Sequence, residues 1–319
     1  MRLIVRHSPE GDGRHVVAVF GIGLVGGAVI RALRSHEIAP AQDLPLDWRD
    51  PARRAADLTQ ISQGIEALAP HLGPLKALDF VWAAGRAGFA ARHEDVEPEI
   101  AAFRDVVSWT RDLADALPDT RHTFHMLSSA GGLFEGQRFI DAQSQPRPLR
   151  PYGEAKLVQE GIVDDLRTTM VAHVYRPSSV YGFSGPGGRA GLLNTLVDNA
   201  KKHAPSRIFG GLDTIRDYVL SSDIGTFIGR RIAQPDDVSR THLLASGKPA
   251  SMTQMLRIAS KVVGHPLYLK FDVQPSNAGH ITYRASALPQ DWRPTDLETG
   301  IRQVARQLSL SFEAGARRR

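Results

Sequence analysis

Near its start the chain reads His15-Val-Val-Ala-Val-Phe-Gly-Ile-Gly-Leu-Val-Gly26, an apolar run that leads into a glycine-rich turn. The valine-rich half predicts a buried strand, and residues 24–35 combine helical periodicity with good helix formers. Gly21 permits a tight turn, Gly23 lets a pyrophosphate approach the backbone, and Gly26 lets the helix pack on the strand. The stretch therefore predicts the opening of a dinucleotide-binding unit, with a helix N-terminus that faces the phosphates.

Strand and helix signals continue to alternate beyond this turn. Strands are predicted at residues 43–48, 77–84, 122–127, 170–175 and 216–220, and helices at residues 51–72, 97–117, 152–166 and 191–203. Residues 1–14 are interpreted as a short leader with a turn at Gly11-Asp-Gly13, and the strand at 216–220 is expected to return to the sheet. The alternation predicts an α/β fold with a Rossmann-type doubly wound parallel sheet.

The pattern changes after residue 182. Residues 184–189 are rich in glycine and predict a flexible loop, and the residues from about 250 onward are interpreted as a small mixed lobe. The expected boundaries are 1–182 with 208–247 for a dinucleotide-binding domain and 183–207 with 248–319 for a smaller C-terminal substrate-binding lobe.

Composition limits the class of protein. The 319 residues carry 39 basic and 34 acidic side chains, and no basic stripe is interleaved with aromatic residues as nucleic-acid binding requires. The longest uncharged apolar stretch, residues 16–30, is too short to span a membrane and is broken by glycines. Cysteine is absent, and the first residues lack the apolar core of a signal peptide. We therefore expect a cytoplasmic protein without a nucleic-acid or membrane partner.

Tyr152 and Lys156 lie four residues apart in Arg150-Pro-Tyr-Gly-Glu-Ala-Lys156, so on a helix they share a face. An ammonium beside a phenol favours the phenolate, as a general base requires. Upstream, Ser128-Ser129 ends a predicted strand at the carboxyl edge of the sheet, where ligands bind in such folds. The Tyr-x-x-x-Lys spacing alone is common by chance. Its order with the serines and the glycine turn predicts a hydride-transfer site.

The adenosine end of the cofactor has one acidic candidate. Asp47 lies 21 residues beyond Gly26, close to the ~20 expected for an acid on the adenosine ribose. A carboxylate there favours NAD, whereas Arg49, two residues on, would accept the 2′-phosphate of NADP; both cofactors stay open. His122 and His125 lie in a strand without metal-ligand spacing to carboxylates, so a structural or surface role is expected and no metal is predicted.

Three further segments carry a family resemblance. Tyr175-Arg-Pro-Ser-Ser-Val-Tyr-Gly182 resembles Arg-Pro-x-Asn-Val-Tyr-Gly, and Arg216-Asp-Tyr-Val-Leu-Ser-Ser-Asp223 resembles Arg-Asp-Tyr-Val-x-Val-x-Asp. Asp291-Trp-Arg-Pro-Thr-Asp-Leu-Glu-Thr-Gly-Ile301 resembles Gly-Trp-x-Pro-x-x-Leu-x-x-Gly-Ile. These are motifs of the extended short-chain dehydrogenase/reductases, in the NAD-dependent epimerase/dehydratase family that acts on nucleotide sugars. The chain resembles that family over nearly its whole length.

The resemblance implies a role for each matching residue. Tyr152 would be the catalytic base, Lys156 would hold the nicotinamide ribose, and Ser129, or in an alternative register Ser128, would bind the sugar oxygen. The implied cofactor contacts, besides these and the turn glycines, are Leu24, Val25, Asp47, Trp48, Ala83, Ala84 and Gly85. The implied substrate contacts are Ser128, Ser179, Arg216 and Arg284, the two arginines on the nucleotide diphosphate.

The sequence also departs from the family pattern. Phe20 replaces the first family glycine, and the stretch between Gly26 and Ala83 is short, as if one strand were missing. Asp47-Trp48 therefore matches either the ribose-binding acid or a later Asp-hydrophobic pair that flanks adenine. No Asp-Glu follows the serine pair, which leaves elimination of water unsupported, and Asp105 stands where the family has a helix asparagine.

The resemblance implies an epimerase that uses bound NAD to oxidise a nucleotide sugar transiently to a ketosugar. The alternatives are an NADPH-dependent ketosugar reductase and a non-catalytic cofactor-sensing protein of the same fold. A homodimer is expected through the helices at residues 97–117 and 152–166, with Val106, Val107 and Trp109 supplying apolar area.

Overall fold

The computed structural model describes residues 1–8, 11, 13–184, 191–209, 211–272 and 279–316. The predicted loop at 184–189, apart from Ser184, lies outside these residues. The strands are β1 (Arg2–His7), β2 (Arg14–Phe20), β3 (Ala39–Asp43), β4 (Leu75–Trp82), β5 (Arg121–Leu127), β6 (Val171–Pro177), β7 (Ser179–Tyr181), β8 (Ser206–Phe209), β9 (Ile215–Arg216), β10 (Tyr218–Leu220), β11 (Thr241–Leu244), β12 (Ala250–Ser251) and β13 (Leu269–Asp272). The helices are α1 (Leu24–Leu33), α2 (Pro51–Ala67), α3 (His93–Ala116), α4 (Ala130–Leu133), α5 (Pro151–Leu166), α6 (Leu192–Lys201), α7 (Ser221–Ala233), α8 (Met252–Val263) and α9 (Leu297–Ala316).

A seven-stranded sheet in the order β11-β6-β5-β4-β2-β1-β3 forms the centre of the fold. Strands β11, β6, β5, β4 and β2 pair in parallel, which confirms the predicted Rossmann-type sheet. One face packs against α2, α3 and α5, and the other against α1 and α7. A separate apolar cluster joins α6, α8 and α9. Within the described residues, no helix is both long enough and apolar enough to cross a membrane.

The leader interpretation of residues 1–14 is wrong. Arg2–His7 forms strand β1, which pairs antiparallel with both β2 and β3, and its Leu3, Ile4 and Val5 side chains are buried. Only the turn between the strands was predicted correctly; there Ser8 N donates to Gly13 O over 3.0 Å. The stretch after the glycine turn is one strand shorter than the family pattern. Strand β1, which precedes the turn in the chain, takes the missing place in the sheet, between β2 and β3. Burial of three consecutive apolar residues stabilises the arrangement.

Two other strand predictions are also corrected. The strand before α2 is Ala39–Asp43 and not 43–48, because Leu44 and Leu46 turn inward to the apolar core. The strand at 216–220 does not return to the central sheet. It breaks at Asp217, whose carboxylate accepts hydrogen bonds from Ser178 Oγ and Ser246 N, so β9 pairs with β12 and β10 with β7.

Two of the three apolar side chains that were expected to supply a dimer interface are buried within their own chain, and the third is half-buried. Val106 and Val107 lie on the buried face of α3. The Trp109 ring centre lies 5.5 Å from that of Phe80, and Trp109 Nε1 donates to Ser62 Oγ over 2.9 Å. The two valines are therefore too buried to supply the expected interface area, whereas Trp109 is half-buried and its share of that expectation stays a prediction.

Polar side chains cross the middle of the sheet, and we call them the histidine belt: His15, Asp79, His125, His173, Tyr175 and His242. His15 Nε2 contacts one buried Asp79 oxygen, and His125 Nε2 lies 2.8 Å from the other. His125 Nδ1 lies 2.9 Å from Tyr175 Oη. Burial alone would raise the pKa of Asp79, but the two histidines hold it below its usual range.

The outer half of the belt consists of stacked rings. The centroid of His173 lies 5.4 Å from that of His125, and the His242 centroid lies 5.2 Å from that of Tyr175. Burial lowers the pKa of His173 to about 3 and that of His242 to about 4. Both rings are therefore neutral at neutral pH. The histidines of β5 have the structural role that was expected, since His122 Nε2 lies 3.0 Å from Leu117 O.

Candidate active site

The glycine turn between β2 and α1 is built as its sequence predicts. Gly21 has φ +88°, and a Cβ on it would lie 2.5 Å from the backbone of Ala84. A Cβ on Gly26 would lie 1.9 Å from Gly21 O, whereas a Cβ on Gly23 would meet nothing within 4 Å. Gly23 is the N-cap of α1 and brings no side chain to cover the N–H groups of the first turn. The turn therefore fits the pyrophosphate of a dinucleotide.

The neighbouring end of β4 completes this concave edge. Ala83 N donates to Phe20 O over 2.8 Å, and Ala83 and Ala84 are half-buried beside the turn. Gly85 follows with φ +141°, a conformation that favours glycine. Leu24 and Val25, at the start of α1, are half-buried on the other side. Residues of the right size and backbone freedom thus surround the position that the sequence assigns to a dinucleotide.

Ser129, Tyr152 and Lys156 meet at the carboxyl end of β5. Ser129 caps the single turn α4, and its Oγ accepts from Gly132 N over 3.1 Å. A Cβ on Gly132 would lie 3.0 Å from the Tyr152 ring, so the glycine lets the phenol pack closely on the turn that Ser129 caps. Lys156 lies one turn after Tyr152 on α5, as the spacing predicts.

Lys156 is buried and held by two acceptors. Its Nζ donates to Leu127 O over 3.1 Å and to Gln159 Oε1 over 3.0 Å. Burial lowers the pKa of Lys156 to about 8, against an opposing effect of Glu99 and Glu160. At neutral pH the side chain is still mainly an ammonium, and it lies on the same helix face as the phenol. This is the electrostatic environment that favours a phenolate.

The two serines of the pair have different surroundings. The Ser129 hydroxyl accepts a hydrogen bond from Gly132 N and keeps its own proton to donate. A Cβ on Gly131 would lie 3.8 Å from this hydroxyl. The Ser128 hydroxyl is fully buried, and no partner for it is found among the described residues. Position therefore favours Ser129 for contact with a ligand.

Asp47 and Trp48 lie between β3 and α2, at the same edge of the sheet. Asp47 Oδ1 accepts from Arg49 N and Asp50 N, each over 2.8 Å, and these bonds lower the pKa of Asp47. The exposed Trp48 ring lies 5.7 Å from that of Trp82, edge to face. Strand β1 lies between this segment and β2. The segment with Asp47 and Trp48 thus reaches this edge of the sheet by way of the edge strand β3.

The predicted substrate residues lie in the C-terminal half of the chain. Ser179 begins β7, and its N–H donates to Asp217 O over 3.0 Å. Arg216 is half-buried, and burial lowers its pKa, with an opposing effect of Tyr218. Arg284 is more exposed: its guanidinium lies 5.8 Å from the Phe139 ring centre and 3.7 Å from Asp141.

A cleft of about 540 Å³ opens beside Tyr152. It is lined by Phe89, Ala90, Ala91, Glu135, Gly136, Leu149, Arg150, Pro151 and Gly279. Phe89 contributes an aromatic wall, since its ring centre lies 5.9 Å from that of Tyr152.

Sequence reasoning missed Phe89, Glu99 and Glu135, and it gave Arg150 no role. Glu99 on α3 accepts from Arg86 N and Ala87 N and so fixes the loop that follows β4. None of these residues belongs to a spaced motif. Only the folded chain brings Phe89, Glu135 and Arg150 to the cleft, although Arg150 lies within the segment that contains Tyr152 and Lys156.

Comparison with known proteins gives a family and a fold. A family model described as the NAD dependent epimerase/dehydratase family matches residues 17–244. A curated protein named "Putative UDP-glucose 4-epimerase", from Methanocaldococcus jannaschii, is 26% identical over 191 residues, which span 56% of this chain and 61% of that protein.

Solved structures share the fold at low identity. The UDP-glucose 4-epimerase of Thermus thermophilus in complex with NAD has a TM-score of 0.70 and 17% identity, covering 92% of this chain and 98% of that one. The UDP-glucuronic acid 4-epimerase of Bacillus cereus, in complex with UDP-glucuronic acid and NAD, has a TM-score of 0.68 and 15% identity, with coverage of 92% and 98%. RMD from Pseudomonas aeruginosa, complexed with NADPH, has a TM-score of 0.68 and 17% identity, with coverage of 91% and 97%.

Proposed function

The chain belongs to the NAD dependent epimerase/dehydratase family, and we propose that it is a nucleotide-sugar epimerase that oxidises its sugar transiently and reduces it again from the other face. The observation that carries the proposal is the approach of Ser129, Tyr152 and Lys156 to one another at the carboxyl end of β5. When bound, NAD would supply the hydride acceptor and donor. A base, a cation and a hydroxyl at this edge are what such a reaction requires of the protein.

Three residues, which we call the catalytic corner, share the proton chemistry: Ser129, Tyr152 and Lys156. Tyr152 as phenolate takes the proton of the reacting sugar hydroxyl and later returns it. Lys156, an ammonium held at Leu127 O, keeps the phenolate favourable and supports the nicotinamide ribose. The Ser129 hydroxyl donates a hydrogen bond to the reacting oxygen, and its position is fixed by its capping bond to Gly132.

The remaining contacts bind and orient. Gly21, Gly23 and Gly26 form the pyrophosphate cradle, and Asp47 with Trp48 contacts the adenosine. Ser179 and Arg216 bind the substrate, with the Arg216 guanidinium on the diphosphate. Residues 183–207 and 248–319 would form the lobe that closes over the sugar.

Turnover with the cofactor retained tests the function. The protein is incubated with substoichiometric NAD and a panel of UDP-, GDP- and ADP-sugars, while NMR follows the sugar and absorbance at 340 nm follows the dinucleotide. We expect interconversion of two epimers without net change at 340 nm. Consumption of NADPH only with a ketosugar would identify a reductase instead. Binding of dinucleotide without turnover of any sugar would indicate the cofactor-sensing alternative.

We also propose a homodimer through the outer faces of α3 and α5. Leu157 and Val158 on α5 are 39% and 41% exposed, and the direction of a Cβ on Gly161 is open. These residues, rather than the buried valines of α3, would form the contact. Light scattering at micromolar concentration tests this. A mass near that of one 34.9 kDa chain would rule out a stable dimer.

A further inference from the structure

Glu135 and Arg150 form an ion pair in the cleft. Arg150 Nε lies 3.0 and 2.9 Å from the two carboxylate oxygens of Glu135, and Arg150 Nη2 lies 2.8 Å from Oε1. The side chains are only 7% and 17% exposed. A pair held by several short contacts at this burial has a fixed geometry, unlike a surface pair that solvent separates.

The pair lies between the two ends of the proposed substrate site. Arg150 is two residues before Tyr152, where the sugar would react. At the other end lies Arg216, which would hold the diphosphate. Glu135 raises the pKa of Arg216 and Arg150 lowers it, so both charges act on that side chain. A nucleotide sugar connects these ends through its hexose. Glu135 and Arg150 are therefore placed against the hexose itself.

Phe89 adds an apolar wall to the same place. Arg150 Nη1 donates to Phe89 O over 3.1 Å, and the guanidinium lies 5.6 Å from the Phe89 ring centre. The Phe89 ring tip would lie 3.4 Å from a Cβ on Gly131, next to Ser129. An aromatic face suits the C–H groups of a sugar ring. This side of the cleft thus combines the apolar Phe89 ring with the Glu135–Arg150 ion pair, whose charges neutralise each other.

We propose that the Glu135–Arg150 pair selects nucleotide sugars with a neutral hexose over those with a hexuronic acid. This rests on the proposed function. The guanidinium charge is already balanced, and three of its donors are engaged with Glu135 and Phe89 O. Glu135 keeps lone pairs that can accept from sugar hydroxyls. A sugar carboxylate would instead face a carboxylate with no uncompensated cation in the pair.

Equilibrium binding to the NAD complex tests the selection. Calorimetry compares UDP-glucose with UDP-glucuronic acid, and GDP-mannose with GDP-mannuronic acid, so that each nucleotide contribution cancels. For any pair that binds, we expect the neutral sugar to bind at least tenfold more tightly. Glu135→Gln keeps the shape but releases the Arg150 charge, and it should reduce this ratio at least fivefold. Glu66→Gln, on the exposed face of α2, should leave the ratio unchanged.

The outcomes separate this inference from the function on which it rests. Equal or tighter binding of the uronic acid by the wild-type protein would overturn the selection and leave the epimerase proposal standing. An unchanged ratio in Glu135→Gln would do the same. If NAD binds but neither these sugars nor any other member of the UDP-, GDP- and ADP-sugar panel does, the nucleotide-sugar function fails, and the selection fails with it.

Discussion

The catalytic corner and the adenosine side of this molecule are built in different ways. In the corner, Tyr152 and Lys156 lie on one helix, and the serine pair directly follows one strand. On the adenosine side, β1 inserts antiparallel between β2 and β3, and an Arg2–Asp43 ion pair of 2.6 Å joins residues far apart in the chain. Local spacing specifies the first region, whereas long-range pairing specifies the second. The local motif of the corner therefore does not depend on how the strands of the adenosine side are paired.

The largest effect is expected from breaking a long-range contact of the adenosine side. The buried Arg54 on α2 donates to Asp105 on α3 over 2.8 Å. Asp105→Ala would leave the guanidinium without this partner and should lower the free energy of unfolding by about 3–5 kcal/mol. Chemical denaturation measures this, with Asp112→Ala on the exposed face of α3 as the control. A loss below about 1 kcal/mol would show that the ion pair does not hold α2 in place.

This ion pair also explains a departure in the sequence. Asp105 stands where the resembled family has an asparagine, and its partner is an arginine 51 positions earlier. Neither residue has a motif of its own, so their pairing could be seen only in the fold.

The sheet beneath both regions should be sensitive to acid. His173 and His242 have folded pKa values of about 3 and about 4, below their value of about 6.5 in the unfolded chain. The unfolded state therefore takes up protons first, and stability that is present above pH ~6.5 is lost as the pH falls. Between pH 7 and 5 we expect a loss of about 2–4 kcal/mol. Denaturation curves measure it, and a His173→Phe/His242→Phe variant should be less sensitive. A flat profile in the wild-type protein would contradict buried neutral histidines.

The rate of the reaction at the catalytic corner should instead fall at alkaline pH. Lys156 has a pKa of about 8, and only its ammonium form supports the phenolate. The rate should fall as the pH rises through about 8, by about tenfold between pH 7 and 9. Lys156→Arg, if it retains measurable activity, should shift this fall to higher pH. An identical alkaline limb in that variant would assign the titration to another group.

The smallest effect is expected at Asp47. One of its carboxylate oxygens already accepts two backbone N–H groups, which leaves the other for a ribose hydroxyl. Asp47→Asn should weaken NAD binding by about fivefold, near 1 kcal/mol, and should weaken NADP binding less. Fluorescence titration with each dinucleotide measures both. Equal losses of affinity for the two cofactors would show that Asp47 does not contact the ribose.

The sequence allowed the fold class and the proximity of Ser129, Tyr152 and Lys156 to be predicted because both depend on local signals. The glycine turn, the alternating elements and the four-residue spacing on α5 need only a few neighbouring residues. Strand β1 was missed because it is short, flanked by charged residues, and buried only through pairing with strands on both sides. The cleft residues Phe89, Glu135 and Arg150 were missed because their proximity depends on three separate loops meeting.

The central claim is that the Tyr152 phenol moves the proton, and one substitution tests it. Tyr152→Phe removes the hydroxyl and keeps the ring that packs on Gly132. NMR measures epimerisation of the best nucleotide sugar, and titration measures dinucleotide affinity on the same preparation. We expect a rate at least ~10²-fold lower with dinucleotide affinity unchanged. A variant that keeps more than about a tenth of the wild-type rate would contradict it.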